Sequence, residues 1–98
     1  MEIRKPSAKE TEILEALRER EMFGLELVDA SSGRLKRGTV YVTLGRMEEK
    51  GYVESRLEER RSGAIGLPRR LYRATAFGLR VLDAWNTFRE TLAVEGAR

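Results

Sequence analysis

The residues of this chain with the clearest chemistry are cations that stand between positions 35 and 53. Lys36 and Arg37 stand at the entry of a predicted helix, where the helix dipole favours acidic side chains, so these two cations do not serve the helix itself. Cations at this place can bind phosphates or a guanine edge. Within the helix, Thr39 can contact a phosphate or a base edge, and Arg46 can follow a phosphate backbone.

The helix that positions these groups has two different faces. Val40, Leu44 and Met47 recur at spacings of four and three, which places them on one side. The opposite side carries Gly38, Thr39, Val42, Gly45 and Arg46. Because glycine costs a helix about 1 kcal/mol relative to alanine, two glycines on one face suggest that a large body approaches the backbone closely. The pattern is typical of a helix that enters the DNA major groove, and an ordinary amphipathic helix with solvated charges explains these residues about equally well.

Composition excludes several classes of function. The 98 residues predict one domain, without cysteine for disulfides and without histidine, the commonest general base and metal ligand. No metal-ligand spacing or cofactor-binding motif occurs, so we predict no enzyme activity and no bound metal or cofactor. No apolar run approaches the roughly 20 residues of a membrane span, so we expect no membrane partner and a cytoplasmic location.

The charges are segregated along the chain, although the net charge is only +3. Acidic residues dominate between Lys9 and Asp29. Every charge from Arg34 to Met47 is positive, and so is every charge from Arg60 to Arg80. This distribution predicts one basic face.

Caps, breakers and periodicity predict the secondary structure. Ser7 and Glu10 form a capping box at the start of the first helix, and Gly51 ends the third helix in the left-handed conformation. In the second helix, Leu25 and Val28 are predicted to point inward. The predicted elements are helices over residues 8–20, 25–30 and 37–50, strands over 52–58 and 70–74, and a last helix over 76–95.

The two strands are joined by residues 59–69, a glycine-rich segment too long for a tight turn. After a helix-turn-helix pair, such a hairpin is the wing of a winged helix. We predict that Arg60, Arg61 and Arg69 contact phosphates or the minor groove, the alternative being a mobile solvated loop. The predicted fold is mainly α with a small β-hairpin: a winged helix-turn-helix over residues 1–74 and a C-terminal dimerisation helix over 75–98.

The last helix carries an apolar seam. Val81, Trp85, Phe88 and Leu92 recur at spacings of four, three and four, as in a helix that packs along another helix. Twenty helical residues extend about 30 Å, further than a small winged domain can cover. These four residues are therefore predicted to form a homodimer interface. A second hypothesis is that Trp85 also lines an apolar ligand pocket at this interface.

Several short runs form a specific combination: Leu35, Gly38-Thr39-Val40-Tyr41, Leu44, Arg46, Glu48-Glu49, Gly51, Glu54, Arg70-Leu71-Tyr72-Arg73 and Thr75 to Gly78. Over about residues 10 to 85 the chain resembles the PadR family of winged-helix transcriptional regulators. The resemblance implies a homodimeric, DNA-binding repressor with a single C-terminal dimerisation helix, as in the small subgroup of the family. It also implies that a small aromatic effector could bind near Trp85, since some members respond to phenolic acids or drug-like aromatics.

The resemblance also suggests roles for single residues. Tyr41 matches the tyrosine of the family and would hydrogen-bond a phosphate, the alternative being a packed aromatic ring. Val42 stands where the family has proline, and its outward position suits a thymine methyl group, the alternative being an ordinary isolated exposed valine. Lys36 and Arg37 replace Ser-Pro, which adds two cations and removes a serine cap. The alternative function is a winged-helix protein-interaction module that does not bind DNA.

Overall fold

The computed structural model describes residues 5–59, 63 and 65–96 of the chain. Within these residues it contains four helices and a small three-stranded antiparallel sheet, which confirms the predicted winged-helix fold class. The elements are α1 (Ala8–Leu17), β1 (Met22–Phe23), α2 (Gly24–Ala30), α3 (Arg37–Glu49), β2 (Val53–Leu57), β3 (Arg70–Ala74) and α4 (Ala76–Gly96).

A single apolar core joins the helices to the sheet. Its buried residues are Ile13, Leu14, Leu17, Met22, Leu27, Leu35, Val40, Leu44, Met47, Tyr52, Val53, Tyr72, Val81 and Leu82. Val40, Leu44 and Met47 are all fully buried, so the inner face of α3 is the one that the sequence predicts. Because this face packs into the core, the opposite face of α3 remains at the surface.

The capping box of α1 is confirmed. The Ser7 hydroxyl accepts a hydrogen bond from the Glu10 backbone N–H at 3.1 Å, and the Glu10 carboxylate accepts one from the Ser7 N–H at 2.9 Å. The helix ends at Leu17, earlier than the predicted end near Arg20.

Helix α2 packs through a different face from the predicted one. Leu25 is 46% exposed, so its predicted inward orientation is wrong, whereas Leu27 and Gly24 are buried. Gly24, Leu27 and Val28 also share one side of a helix, at spacings of three and four. A helix of seven residues allows either face to pack, and the tertiary contacts of α2 decide between them.

The sheet contains a short strand that the sequence did not predict. Its order is β1-β3-β2, with Met22 of β1 opposite Tyr72 and Phe23 opposite Leu71. Two residues are too few to show an alternating pattern, so the sequence predicted only a connection here. Strand β3 has its predicted bounds, and β2 is shorter than predicted by one residue at each end.

Hydrogen bonds connect the end of α3 to the start of α4. Gly51 has a φ of 80°, the predicted left-handed stop, and the Tyr52 N–H donates to the Met47 carbonyl at 2.9 Å. The Thr75 hydroxyl caps α4 by accepting from the Gly78 N–H at 2.9 Å, and it donates to the Gly51 carbonyl at 2.6 Å. A Cβ at Gly78 would lie 2.1 Å from the Tyr52 carbonyl oxygen, so only glycine permits this approach.

Helix α4 belongs to the core at its beginning and to the surface further along. Val81 and Leu82 are buried, whereas Phe88 and Leu92 are each 52% exposed. The predicted place of Val81 in a dimer interface is therefore wrong, because the core of its own chain already covers this side chain. Within the described residues, no helix combines the length and the apolar character needed to cross a membrane.

Candidate nucleic-acid interface

The outer face of α3 has very low relief. Gly38, Val42, Gly45 and Arg46 are exposed, and Thr39 is half-buried. A Cβ built on Gly38 or Gly45 would meet no atom within 4 Å, so open space lies above both glycines. Val42 is 57% exposed and is the apolar side chain of this face. A large, flat or grooved body can therefore approach the backbone of α3 closely.

The cations at the start and on the outer face of α3 have no acidic partner among the described residues. Lys36, Arg37 and Arg46 are exposed, and none of them forms an ion pair within the part of the chain that the structure describes. Arg34, just before them, instead pairs with Glu12 at 2.6 Å. The three cations of α3 can thus bind a phosphate without giving up an existing partner.

The first turn of α3 is also open to an anion. Lys36 is the N-cap residue, its backbone is extended, and its side chain makes no capping hydrogen bond. The loss of the serine cap leaves N–H groups of the first turn without a side-chain acceptor. Free N–H groups and the positive end of the helix dipole together favour a phosphate at this position.

Tyr41 lies against the first residue of α2. A Cβ at Gly24 would come within 2.6 Å of the Tyr41 ring, so glycine is needed at this position for the ring to pack there. The sequence predicted Gly24 only as a turn residue, and this close approach is a further reason for it. The Tyr41 side chain is nevertheless 42% exposed, and its hydroxyl forms no hydrogen bond with a described residue. The Tyr41 ring can therefore pack against α2 while its hydroxyl remains available to a phosphate, so the two interpretations of Tyr41 do not exclude each other.

Of the three wing arginines predicted to contact DNA, the structure describes Arg69. The predicted contact residues Arg60 and Arg61 lie outside the described residues. The guanidinium of Arg69 donates to both carboxylate oxygens of Glu58, at 3.1 and 3.2 Å, and lies 3.9 Å from the centre of the Phe23 ring. The hydrogen bond to Glu58 is the main cause that raises the pKa of Arg69. Unlike the cations of α3, Arg69 is already engaged within the chain.

A buried carboxylate fixes the far end of α3. Glu10 is only 5% exposed and accepts a hydrogen bond from Lys50 Nζ at 2.7 Å, next to the end of the helix. Burial acts to raise the pKa of Glu10, but hydrogen bonds from Lys50 and Ser7 outweigh it, and the pKa is lowered. The capping pattern identified Glu10 in the sequence, but nothing local indicated its second partner.

The seam of α4 carries an aromatic pair. Trp85 is half-buried, its ring lies 5.6 Å from that of Phe88, and Lys5 Nζ lies 4.8 Å from the Trp85 ring. Trp85 lines neither a cavity of about 360 Å³ on the outer side of the sheet nor one of about 330 Å³ between α1 and α2. The single chain therefore offers an aromatic surface at Trp85, and these two cavities lie elsewhere.

Comparison with known proteins identifies the family. The family model described as "Transcriptional regulator PadR-like family" matches residues 13–84. This chain belongs to the PadR-like family. A PadR family regulator from Eggerthella lenta DSM 2243 is 30% identical to this family member, with a TM-score of 0.73 over 90% of this chain and 77% of that one. A PadR family regulator from Clostridium difficile R20291 is 25% identical, with a TM-score of 0.71 over 89% of this chain and 96% of the other.

One similar structure contains DNA. Bacillus subtilis PadR, solved in complex with operator DNA, has a TM-score of 0.72 and is 20% identical. The match covers 81% of this PadR-like chain and 46% of the Bacillus subtilis chain, and at this identity it shows a shared fold. No match was found among curated proteins.

Proposed function

We propose that this PadR-like protein is a sequence-specific DNA-binding transcriptional repressor that acts as a homodimer. The observation that carries the proposal is the outer face of α3, which is exposed, nearly bare and lined by cations without acidic partners among the described residues. Membership of a family of transcriptional regulators supports the same function.

In this proposal α3 lies in the major groove with its glycine-bearing face toward the base pairs. Lys36 and Arg37 contact phosphates or a guanine edge, and the open first turn of α3 adds backbone N–H donors. Thr39 contacts a phosphate or a base edge, and the Tyr41 hydroxyl binds a phosphate. Arg46 follows the phosphate backbone, and Val42 contacts a thymine methyl group. Phosphate contacts set the register of the helix, so sequence selectivity comes from the few side chains that reach base edges.

The wing provides the second set of contacts. We assign phosphate or minor-groove contact to Arg60 and Arg61. The prediction for Arg69 needs a qualification, because this residue must give up Glu58 and Phe23 before it can bind a phosphate. While Arg69 keeps these two partners it is not available to a phosphate, so we propose that the direct wing contacts come from Arg60 and Arg61.

A second copy of the chain is proposed to cover the exposed part of the α4 seam. Phe88 and Leu92 are each 52% exposed, and Trp85 is half-buried beside them. Pairing of these residues across a two-fold axis would remove their apolar surface from water. Two recognition helices would then face half-sites about one or two helical turns apart.

A small aromatic effector is proposed to act at the same seam. Trp85 and Phe88 provide ring surface, and Lys5 places a cation at the Trp85 ring. A second copy of α4 would complete a pocket around these rings. Binding there could change the angle between the two α4 helices and hence the spacing of the recognition helices.

Selection of bound sequences from a random pool of DNA duplexes tests the proposed function. We expect enrichment of an inverted repeat, and loss of binding when an active aromatic compound is added. Failure to bind any duplex at low ionic strength would contradict the proposal. Charge reversal by Arg37→Glu with Arg61→Glu should abolish DNA binding. If the chain is instead a protein-interaction module, the unmodified protein should not bind DNA, and the double variant should keep its affinity for the protein partner.

A further inference from the structure

Three side chains contact one another where the wing joins the sheet: Glu58, Arg69 and Phe23. We call this group the wing clasp. Glu58 follows β2, Arg69 precedes β3, and Phe23 is the second residue of β1. The Arg69 guanidinium makes a two-pronged contact with the Glu58 carboxylate and lies over the Phe23 ring, 3.9 Å from its centre. The clasp therefore connects all three strands of the sheet at the base of the wing.

The clasp also changes the hydrogen-bond ladder between β2 and β3. The Glu58 N–H donates to the Arg69 carbonyl at 2.8 Å. In a regular antiparallel pair, the Arg69 N–H would return a bond to the Glu58 carbonyl. Here it donates to the Glu58 carboxylate at 3.2 Å. One carboxylate thus holds both the backbone and the side chain of Arg69, at the point where regular pairing gives way to the wing.

The clasp reaches the start of the helix-turn-helix as well. Phe23 is the N-cap residue of α2, and its N–H donates to the Glu26 carboxylate at 3.0 Å. Glu26 also acts electrostatically on Arg69. Arg69 is therefore held by the Glu58 carboxylate at the base of the wing, and Glu26, whose carboxylate pairs with Arg20 at 2.9 Å, adds a smaller electrostatic attraction. The charge of Arg69 is balanced within the chain, in contrast to Lys36 and Arg37.

We infer that Arg69 and Glu58 are positioning residues, which fix the base of the wing against β1 so that the wing meets DNA in a defined place. Arg69 itself does not bind a phosphate in this arrangement. The inference rests on the proposed DNA-binding function. Exposed ion pairs usually contribute little to stability, but a bidentate arginine–carboxylate pair on an aromatic ring fixes orientation, which is what a wing base requires.

The salt dependence of duplex binding separates positioning from phosphate contact. Arg69→Gln and Glu58→Gln should each weaken binding by about three- to tenfold, because an unfixed wing must be ordered on binding. Neither change should alter the slope of log affinity against log salt concentration. The double variant should bind no more weakly than either single variant, since the two residues act as one unit. Arg69→Lys should not restore binding, because lysine cannot make the bidentate contact.

Lys36→Gln is the matched reference for a lost phosphate contact, with a slope smaller by about 0.9. The inference is overturned if Arg69→Gln lowers the slope by a similar amount while Glu58→Gln binds as tightly as the unmodified protein or more tightly. Thermal unfolding of each variant identifies any general loss of folding.

Amide hydrogen exchange in the free protein tests the clasp without DNA. Glu58→Ala, which removes the side-chain acceptor of the Arg69 N–H, should speed the exchange of the Arg69 amide and leave that of Met47, in the core of α3, unchanged. Unchanged protection of Arg69 would overturn the clasp. If the unmodified protein bound no duplex at all, the proposed function and the DNA role of the clasp would both fail. The exchange measurement would then still decide whether the clasp fixes the base of the wing.

Discussion

At the scale of single residues, the distinction between paired and unpaired cations carries most of the functional argument. Arg34 and Lys36 are two residues apart, yet Arg34 pairs with Glu12 at 2.6 Å and Lys36 has no acidic partner among the described residues. An unpaired surface cation can release counterions from DNA without losing a contact in its own protein. Pairing in the free protein therefore predicts which cations bind phosphate.

Lys36→Gln and Arg37→Gln should lower affinity for all duplex sequences by similar factors. Each should reduce the log–log salt slope by about 0.9, the value for one lost phosphate contact. Arg34→Gln is the matched control, since its charge is already paired, and its slope should stay unchanged. Equal slopes for all three variants and the unmodified protein would reject the phosphate contacts.

Gly24→Ala tests the packing of Tyr41. The added methyl group would lie 2.6 Å from the Tyr41 ring, so either the ring moves or α2 shifts. We expect a loss of about 1–3 kcal/mol of unfolding free energy, measured by urea denaturation, as for other overpacked sites. In a Tyr41→Ala background the same change should cost almost nothing. A similar cost in both backgrounds would show that the ring is not the obstacle.

At the scale of elements, a glycine within α3 lowers the stability of the helix and leaves its outer face without a side chain at that position. Gly45 lies within the helix, and open space lies above it. Glycine inside a helix costs about 0.5–1 kcal/mol relative to alanine. Nothing in the described fold requires this residue to be glycine, so the close approach of DNA is the proposed reason.

Gly45→Ala should therefore change stability and function in opposite directions. We expect the unfolding free energy to rise by about 0.5–1 kcal/mol, and duplex affinity to fall because the methyl group stands on the recognition face. Urea denaturation and fluorescence anisotropy measure the two effects on the same preparation. A more stable variant with unchanged affinity would show that DNA does not approach α3 at this position.

The link between α1 and α3 should make stability depend on pH. The pKa of Glu10 lies below its usual value of 4.5 in the folded chain, because hydrogen bonds from Lys50 and Ser7 outweigh the effect of burial. The carboxylate therefore stabilises the fold above about pH 4.5, and this contribution is lost as the pH falls through the folded pKa. Lys50 is partly exposed, so solvent weakens the pair.

Glu10→Gln should cost about 1–2 kcal/mol of unfolding free energy at pH 7. The difference between Glu10→Gln and the unmodified protein should shrink as the pH falls below about 4.5 and through the lowered pKa of Glu10, as the carboxylate of the unmodified protein becomes protonated. Urea denaturation across this range measures both curves. Parallel curves would mean that the Glu10 carboxylate does not link α1 to α3.

At the scale of the whole molecule, α4 determines the elongated shape and, in the proposed homodimer, the assembly. The molecule measures 62 × 31 × 21 Å, and α4 is its longest helix, at 21 residues. Val81 and Leu82 anchor its first turns in the core. Arg18, the C-cap residue of α1, also donates a hydrogen bond to Asp83 of α4 at 2.8 Å. The apolar residues beyond these anchors are left for a second copy in the proposed homodimer.

Leu92→Glu tests the homodimer without disturbing the core, because Leu92 is 52% exposed in the single chain. The dimer dissociation constant should rise by about tenfold or more, since burying an unpaired carboxylate costs more than about 1.4 kcal/mol. Val94→Glu is the matched control on the opposite side of α4, and it should leave association unchanged. Analytical sedimentation measures the dimer dissociation constant of each variant. Equal dissociation constants for the two variants would contradict the proposed dimer interface along the α4 seam.

Part of this fold follows from the sequence alone. The inner face of α3, its stop at Gly51, the capping box of α1 and the bounds of β3 were all predicted. Each of these features depends on residues within about four positions of one another, where helical period, capping and glycine conformation act directly. The basic, nearly bare outer face of α3 follows from the same periodicity, which is why the sequence could predict the candidate interface.

Only the tertiary structure decided the remaining features. Strand β1 exists because Met22 and Phe23 pair with β3, and the buried face of α2 depends on what it packs against. Val81 is in the core, and Arg69 is held by Glu58 and Phe23, because distant segments meet at these positions. Periodicity shows which residues share a face but not which partner covers that face. The free energy of burial and of ion pairing depends on that partner.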